Sequence, residues 1–463
     1  MTRYVPSHSP IGKVDGFNYS DHGNAERLAV AHRHHIRYVA QWGKWVVYDG
    51  ARWLLDDASI HVTAKAADAV KRLLDVYPNV ADKDERKALG DWVIRSESAR
   101  GLENMAKVAR ALPGIACSAD DLDANPMLLN VANGTLDLDN MLLRPHCPSG
   151  LLTKQCAVAY DPAARAPLFE AFVAQILPGV DVRDCVQRLV GQALTGTITE
   201  RVLPIALGGG ANGKSTLTAI VAAVLGDYAV VAPKDLFMAS KHEPHPTSRA
   251  TLFRARFAHS GEITAGARLH ESQVKELTGN DAIVCRRMRE DFWSFEPTHT
   301  LWLHANHKPR VYGTDDAVWD RILLIPFDVR IPETERDPFL GQRIIDTEGA
   351  GVLRWLVDGL ADYRARGLDP PDAIRIATKA YRSDSDTVAQ FLESYVIGEG
   401  GELDAITIGE DHNDFCEAAG INPKSHWQFV SSELRRRGAT NKRVRQGGVQ
   451  ARRWLSVKER ATQ

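Results

Sequence analysis

The sequence predicts an α/β fold around a parallel, doubly wound sheet, and two observations carry this prediction. Four short apolar strands recur between residues 201 and 329, and longer stretches separate them. A glycine-rich turn follows the first strand and leads directly into a helix rich in Ala, Leu and Val. Strands that alternate with helices in this way pair in parallel, and the helices cover the faces of the sheet.

Each strand of this core is an apolar segment short enough to be fully buried. The four segments are RVLPIALG (201–208), FAHSGEI (257–263), HTLWLHAN (299–306) and ILLIPFDV (322–329). An amphipathic helix is predicted over 349–368, and the Asp-Pro-Pro-Asp sequence at 369–372 ends it, because proline cannot continue a helix. Residues 369–372 are therefore predicted to be a linker.

An α+β segment is predicted ahead of this core. Residues 41–57 indicate a hairpin with an Asp49-Gly50 turn, 62–111 indicate helices, and 128–146 indicate short strands around Asn133-Gly134. Two helices are predicted within 167–198. After the linker, two short helices and a basic strand pair with a Gly-Gly turn indicate a winged helix-turn-helix. The predicted domains are 1–165, 166–345, 346–385 and 386–463.

Composition limits the class of protein. The chain has 463 residues with 44% hydrophobic and 25% charged residues, which is ordinary for a soluble globular protein. No apolar run approaches the roughly 18 residues of a membrane span, and the first residues lack the apolar core of a signal peptide. We therefore expect a cytoplasmic location. The six cysteines form no C-x-x-C pair, which argues against a zinc ribbon.

Charge is distributed unevenly along the chain. The net charge is only −2, but Lys424 to Gln463 carries 11 Lys/Arg against 2 Glu, a local balance of +9 that leaves −11 for the remainder. A basic end on an acidic body is typical of a protein that binds nucleic acid at that end.

Residues 208–215 match the phosphate-binding pattern G-x-x-x-x-G-K-[ST]. Glycines let the loop curl so that successive backbone N–H groups point at phosphate, and the following helix adds its positive end. Lys214 is placed to reach the β- and γ-phosphates, and Ser215 to offer a hydroxyl to Mg²⁺. The sequence therefore predicts ATP and Mg²⁺ as cofactors. The predicted nucleotide-binding residues are Gly208, Gly209, Gly210, Ala211, Asn212, Gly213, Lys214, Ser215 and Thr216.

Three polar residues next to the predicted strands are candidates for the accompanying chemistry. Glu262 ends one strand and could hold the metal or orient water, although it could also be a solvated loop glutamate. Asn306 ends another strand and could bond the γ-phosphate or the water, although asparagine is common in turns. Arg321 precedes a strand and could reach a neighbouring subunit's nucleotide, or pair with Asp320 or Asp316.

Five blocks of sequence together resemble the superfamily 3 helicase half of phage and plasmid primase–helicases. They are GGGANGKST, the strand ending at Glu262, QVKELTGNDAIVCRRM, LWLHANHKPRVYGTDDAVWDRILLIPF and VLRWLVDGLADY. The order and spacing of the blocks match, most specifically over 200–330. The stretches WVVYDGARWLLDD and NVANGTLDL resemble that family's segment ahead of the helicase, so the resemblance covers about 40–460.

The resemblance implies a ring-forming, AAA+-like ATPase, expected as a homohexamer, that moves along single-stranded DNA in the cytoplasm of a bacterial host. It implies catalytic roles for Lys214, Glu262, Asn306 and an arginine finger, Arg321, acting in trans, with Ser215 and Glu262 at the metal. One departure is that a single Glu262 follows Ser260-Gly261 where many relatives carry two adjacent acids. The role of Glu262 in activating water, in holding Mg²⁺, or in both is therefore open.

Two basic regions are candidates for DNA contact, since cationic side chains attract phosphate without reading sequence. The resemblance implies a hairpin in the ring channel, and a solvated basic face is the alternative there. The tail could bind single-stranded or origin DNA, or serve as a protein-docking winged helix. The candidates are Lys275, Arg286, Arg287 and Arg289 at the hairpin and Lys424, Arg435, Arg436, Arg437, Lys442 and Arg443 in the tail, with Arg445, Arg452 and Arg453 along the same strands.

A primase is not expected within residues 1–165. Asp121 with Asp123, and Asp137 with Asp139, have the D-x-D form of a metal pair, but no partner motif follows them. A separate primase is therefore an expected partner. Two other functions stay open: a P-loop phosphotransferase, and an ATP-switched origin-binding or loader protein with little unwinding.

Overall fold

The computed structural model describes residues 13–14, 16–240, 245–288, 291–311, 316–419, 422–446 and 449–459. The helices are α1 Asp21–His32, α2 Ile60–Lys71, α3 Leu73–Val76, α4 Lys83–Ser96, α5 Ala99–Ala109, α6 Pro167–Ile176, α7 Val180–Gln192, α8 Lys214–Leu225, α9 Pro246–Ala250, α10 Glu271–Leu277, α11 Asp316–Trp319, α12 Leu340–Arg366, α13 Asp372–Ser385, α14 Thr387–Leu392, α15 Ala405–Ala419 and α16 Pro423–Arg436.

Within the described residues, the strands form six sheets. They are β1 Lys13–Val14, β2 Phe17–Asn18, β3 Ile36–Val39, β4 Lys44–Tyr48, β5 Trp53–Leu55, β6 Ala116–Cys117, β7 Leu128–Val131, β8 Gly134–Asp137, β9 Leu142–Arg144, β10 Leu203–Leu207, β11 Ala229–Ala232, β12 Phe257–Ser260, β13 Ile283–Cys285, β14 Trp293–Phe295, β15 Thr300–Ala305, β16 Ile322–Pro326, β17 Tyr395–Asp404, β18 Thr440–Gln446 and β19 Val449–Glu459.

The central sheet has five parallel strands in the order β11-β12-β15-β10-β16. The predicted mixed α/β fold with a parallel sheet is confirmed. The strand β10 lies between β15 and β16 and is covered on both faces, and Ile205 and Ala206 on opposite faces are both fully buried. Burial on both faces explains why these strands are continuous apolar runs in the sequence.

The helix α12 is 27 residues long and packs on α7 and α8. It begins nine residues before the predicted start at 349, and it extends across the predicted domain boundary at 345. Gly191 and Gly359 let α7 and α12 touch backbone to backbone: a Cβ on Gly191 would lie 2.4 Å from the Leu360 nitrogen, and one on Gly359 2.3 Å from the Gln187 oxygen. The predicted linker 369–372 is only the short turn into α13.

The antiparallel sheet β7-β8-β9 packs on this same body. Leu129 and Leu136 belong to the hydrophobic cluster that also contains α6, α7, α8 and α12. The backbone N–H of Asn130 donates to the Tyr228 hydroxyl at 3.1 Å, and Arg256 donates to the Leu128 carbonyl oxygen at 2.7 Å. The predicted strands at 128–146 are confirmed, and they lie within the body although the predicted boundary follows them at 165.

A separate cluster holds the N-terminal part together. The four-stranded sheet β5-β4-β3-β6 packs with α1, α2, α4 and α5 around Ile36, Trp45 and Leu89. The predicted hairpin at 41–57 is confirmed as β4–β5. The Asp49 carboxylate accepts from the backbone N–H groups of Ala51 and Arg52 at 2.7 and 2.8 Å, which explains the position of the turn.

The C-terminal part contains α14, α15, α16 and the antiparallel sheet β17-β19-β18. The predicted order of two helices and a hairpin is present, and its assignment as a winged helix stays a prediction. The strand β17 was not anticipated, because its sequence YVIGEGGELD holds three glycines and its register with β19 shifts between Ile397 and Glu402. Val430, Leu434 and Trp454 form the buried centre of this part.

Candidate functional site

The loop 208–213 connects the carboxyl end of β10 to the first turn of α8. Gly210 and Gly213 have φ angles of 92° and 76°, and Ala211 one of 52°, so three of its six residues are left-handed. The loop is anchored from outside, because the backbone N–H of Ile331 donates to the Ala211 oxygen at 2.8 Å and the Asn212 amide to the Phe327 oxygen at 3.2 Å. The motif predicted to bind phosphate therefore forms a tight turn ahead of a helix N-terminus.

The Lys214 side chain folds back into this loop and is only 4% exposed. Its ammonium group donates to the Gly208 carbonyl oxygen at 2.6 Å, to the Asn212 side-chain oxygen at 2.9 Å and to the Asn306 side-chain oxygen at 3.3 Å. Burial lowers the pKa of Lys214, and the charge of Glu262 partly offsets this. Among the described residues, Lys214 forms no ion pair, so a buried cation is surrounded by neutral oxygens.

Asn306 and Glu262 follow the neighbouring strands β15 and β12 at the same edge of the sheet. The Asn306 amide nitrogen donates to a Glu262 carboxylate oxygen. Asn306 is half-buried and Glu262 is exposed. The structure therefore brings Lys214, Asn306 and Glu262 into one chain of contacts. Ser215 is exposed in the first turn of α8, where its hydroxyl can reach a group bound at the loop.

A buried polar pair beneath the loop was missed by sequence reasoning. The Thr218 hydroxyl lies 2.7 Å from His304 Nε2 and donates to the Lys214 carbonyl oxygen at 3.1 Å. Burial lowers the pKa of His304 to about 4, and the charges of His259 and Lys214 add to this. The pair links α8 to β15. Its only sequence signal is a histidine inside the otherwise apolar strand HTLWLHAN, which does not by itself name a partner.

Arg321 lies away from these residues. It immediately precedes β16, so it is at the amino edge of the sheet, whereas the loop 208–213 is at the carboxyl edge. Its Nε donates to the Thr278 hydroxyl at 3.1 Å, and another guanidinium nitrogen donates to the Ala317 oxygen at 2.5 Å. Within one chain, Arg321 therefore does not meet Lys214.

The predicted basic hairpin is present as β13 and β14. Arg286 and Arg287 follow β13, and their guanidinium groups lie 5.1 Å and 5.6 Å from the ring centres of Phe292 and Trp293. Phe292 and the neighbouring Met288 are 61% and 71% exposed. Arg289 lies outside the described residues, and Lys275 lies on α10 just ahead of the hairpin. The described residues next to the two strands thus combine cationic and apolar side chains.

The basic residues of the C-terminal part fall into two groups. At the end of α16, Arg436 and the next residue, Arg437, both donate to the Glu433 carboxylate, at 2.7 and 2.8 Å. These hydrogen bonds, above all the one from Arg436, lower the pKa of Glu433 to about 2. Arg435 lies 5.9 Å from the Trp454 ring centre. Glu433 therefore offsets part of the charge of this basic face, and the three arginines stay exposed.

The second group lies on the paired strands β18 and β19. Lys442 is directly opposite Arg453, and Arg443 is directly opposite Arg452. Like charges in facing positions repel, which a bound polyanion would relieve. Glu402 pairs with Arg453 at 3.0 Å, but Lys442, Arg443 and Arg452 are exposed, as are Arg445 and the helical residue Lys424.

The four aspartates with D-x-D spacing accept hydrogen bonds from other residues of the protein. Asp121 accepts from the Ser118 N–H at 2.7 Å and Asp123 from the Thr153 N–H at 2.7 Å, while Asp137 accepts from Arg144 at 2.8 Å and Asp139 from Arg364 at 3.4 Å. These contacts account for the carboxylates without a metal. Within the described ranges, no helix combines the length and apolar character that a bilayer crossing requires.

Comparison with known proteins identifies two family models that match separate segments of the chain. A family model described as "D5 N terminal like" matches residues 25–178. A second model, described as a family of unknown function (DUF5906), matches residues 206–321, which contain Lys214, Glu262 and Asn306. The chain is related to the D5-type primase–helicases. The resemblance drawn from the sequence is thereby confirmed, and its segment ahead of the helicase corresponds to the D5 N-terminal-like match.

The curated relatives come from large DNA viruses. A protein of Acanthamoeba polyphaga mimivirus named "putative helicase" is 24% identical over 303 residues, covering 60% of this chain and 31% of that protein. A protein of invertebrate iridescent virus 3, also named "putative helicase", is 26% identical over 309 residues, covering 59% of this chain and 33% of its own length. One of African swine fever virus named "putative primase" is 25% identical over 342 residues, covering 68% of this chain and 35% of its own length. The chain therefore spans about a third of the length of these relatives.

A solved structure shares the fold. The apo structure of the NrS-1 C-terminal region aligns with a TM-score of 0.52 at 10% identity, covering 91% of this chain and 96% of that one. At this identity the likeness concerns the fold alone. The aligned region covers nearly the whole chain, including the N-terminal and C-terminal parts that precede and follow the central sheet in sequence.

Proposed function

We propose that this protein is an ATP-driven DNA helicase of the replicative kind, encoded by a phage, prophage or plasmid. The proposal combines the relation to proteins named as helicases and primases with a site suited to nucleotide phosphate. The loop 208–213, Lys214, Glu262 and Asn306 would form a P-loop ATPase centre, and the two basic regions would hold DNA. A separate primase and other replication proteins are proposed partners.

The observation that carries the proposal is the buried Lys214 ammonium with only neutral oxygens as hydrogen-bond partners. A buried cation without a paired anion is costly, and a phosphate group at the loop would supply the missing negative charge. The left-handed turns of the loop and the N-terminus of α8 provide backbone N–H donors for the same group. This donor set fits the β- and γ-phosphates of ATP better than it fits a neutral ligand.

Mg²⁺ would be held at the edge of this site by the exposed Ser215 hydroxyl and by Glu262, directly or through water. The bound ion would neutralise charge that develops on the phosphates during hydrolysis. Asn306 bonds both Lys214 and Glu262, so it can orient the carboxylate toward a water molecule at the γ-phosphate. A bound phosphate would compete with Asn306 for the Lys214 ammonium. Loss of that hydrogen bond would let Asn306 move, and this movement would change the position of Glu262 when nucleotide binds.

Arg321 would act on the nucleotide of a neighbouring subunit. Its position at the amino edge of the sheet excludes contact with Lys214 of its own chain. A ring, expected to be a hexamer, would bring Arg321 to the nucleotide site of the next subunit. In this arrangement Arg321 would first have to leave Thr278 and Ala317. In related phosphoryl-transfer reactions, an arginine supplied in trans increases kcat by about 10³–10⁵-fold.

DNA would be held at two places. Arg286, Arg287 and Arg289 with Lys275 would face phosphates in the ring channel, and exposed Phe292 offers a ring on which a base can stack. The like-charged pairs across β18 and β19 would bind a second stretch of DNA. This part could anchor the origin while the hairpin tracks a single strand.

Steady-state ATP hydrolysis with and without single-stranded DNA tests the proposal. We expect DNA to stimulate hydrolysis in the wild type, and Lys214→Ala to abolish it. Lys83→Ala, which changes an exposed lysine of α4, is the matched control and should behave as wild type. Hydrolysis that is indifferent to DNA would refute the motor function.

A further inference from the structure

Three potential metal ligands converge in the interior of the C-terminal part, remote in sequence from the ATPase loop. They are His412 and Cys416 on α15 and His426 on α16. All three are buried, with exposures of 2%, 0% and 4%. His412 and Cys416 are four residues apart on one helix and therefore lie on the same face, one turn from each other. We propose that these three side chains form a zinc site.

The distances between the donor atoms fit this ion. His412 Nε2 lies 2.9 Å from His426 Nδ1 and 3.4 Å from Cys416 Sγ, and Cys416 Sγ lies 3.7 Å from His426 Nδ1. At usual Zn–N and Zn–S bond lengths, a tetrahedral angle separates two nitrogens by about 3.3 Å and a nitrogen from a sulfur by about 3.6 Å. The three atoms therefore form a triangle close to one face of a zinc tetrahedron.

The ligand chemistry favours zinc over the magnesium of the proposed ATPase site. Imidazole nitrogens and a thiolate suit zinc, whereas magnesium takes oxygen ligands. His426 Nε2 lies 3.1 Å from the Thr387 hydroxyl, so its second ring nitrogen is held by a neighbour in the way that metal-bound histidines usually are. Among the described residues the cluster offers three protein ligands, and the fourth position would be taken by water.

The surroundings explain what the site would do. His412 packs edge-on against Phe391 of α14 and Trp427 of α16, with ring centres 5.3 and 4.9 Å apart. An ion held by His412, Cys416 and His426 would join α15 to α16 inside this aromatic shell, and Thr387 would extend the link to α14. Zinc would therefore brace the small C-terminal part that carries the basic strands β18 and β19. The sequence did not predict this site, because a mixed His/Cys set contains no C-x-x-C pair to indicate it.

The alternative for the same atoms is a plain hydrogen bond between the two imidazoles, with the thiol beside it. The zinc content of the full chain, purified without chelator and after removal of any affinity tag, separates the two. We expect about one equivalent of zinc per chain. Replacement by Co²⁺ should give a thiolate-to-cobalt absorption band, which cobalt bound only by oxygen at the ATPase site cannot give.

Cysteine-to-serine variants identify the thiolate that gives the cobalt absorption band. Cys416→Ser should remove it and release the metal, whereas Cys285→Ser, equally buried, and Cys147→Ser, exposed, should leave both unchanged. Wild-type chain that takes up no zinc and gives no thiolate band overturns the proposal, and this measurement does not depend on any variant folding. A band that survives in Cys416→Ser overturns it as well, because the thiolate then lies elsewhere.

Discussion

Alanine substitution at Gly213 should destabilise the loop 208–213 more than the same change at Gly209 or Gly210. Gly213 has a φ of 76°, where a side chain costs about 1 kcal/mol or more. An added Cβ would also lie 2.5 Å from Ile176 Cγ2 and 3.1 Å from the Phe172 ring, and such overpacking costs roughly 1–3 kcal/mol. We expect Gly213→Ala to lower the free energy of unfolding by about 2–4 kcal/mol.

Two neighbouring glycines separate the backbone effect from the steric one. Gly210 has a φ of 92° but nothing within 4 Å of an added Cβ, so Gly210→Ala should cost only about 1 kcal/mol. Gly209 has neither a left-handed φ nor a close neighbour, and Gly209→Ala should stay within about 0.5 kcal/mol of the wild type. The melting temperature and the urea midpoint of the three variants, measured without nucleotide, give the order directly.

The result that would refute this reasoning is an equal loss of stability in all three variants. Equal losses would mean that the loop is not fixed against Phe172 and Ile176, and that the placement of Lys214 inside it is not determined by packing. If Gly210→Ala and Gly213→Ala lose the same amount of stability and Gly209→Ala loses none, the left-handed backbone explains the whole effect. The steric contact with Ile176 and Phe172 is then excluded as a cause.

Three further predictions concern chemistry, pH and DNA. Glu262→Gln should lower ATP turnover by about 10²–10⁴-fold while ATP binding is kept, and unchanged turnover would remove Glu262 from the reaction. Burial lowers the pKa of both His299 and His304 to about 4 from 6.5, so each adds stability above pH 6.5 that is lost as the pH falls toward 4, by at most about 3–4 kcal/mol each. A urea midpoint that does not decrease when the pH is lowered from 6.5 to 4 would contradict this. Joint replacement of Arg286 and Arg287 by Ala should weaken single-stranded DNA binding and reduce the slope of log K against log salt concentration by about 1.4, since each phosphate contact contributes about 0.7. An unchanged slope would show that neither arginine contacts phosphate.

Four of the five strands of the central sheet could be predicted because their signals are local, whereas β11, only four residues long, was not predicted. The strand HTLWLHAN is apolar enough to be buried on both faces, and the motif ending in Lys214 marks the turn into α8 by itself. The meeting of Lys214, Asn306 and Glu262 also follows from sequence, because residues at the carboxyl ends of neighbouring parallel strands share one edge. Such predictions require no knowledge of how distant segments pack.

Other features depend on packing between segments far apart in the chain. The early start of α12 was missed because residues 340–348 are mostly polar, and only Ile344 is fully buried by the body. The strand β17 is extended by pairing with β19, which outweighs the weak strand propensity of its glycines. The cluster of His412, Cys416 and His426 joins two helices, and the spacing of these residues in sequence matches no common metal pattern.

The backbone contact between α7 and α12 has a mechanical consequence. A helix of 27 residues is about 40 Å long, and near its beginning Gly341 faces the Thr216 methyl group of α8 while its far end meets Arg188 of α7 through Asp362. Where glycines place two backbones in contact, no layer of flexible side chains can absorb strain between them. The first turn of α8, which follows the loop 208–213, and the turn into α13 are therefore connected by one stiff helix.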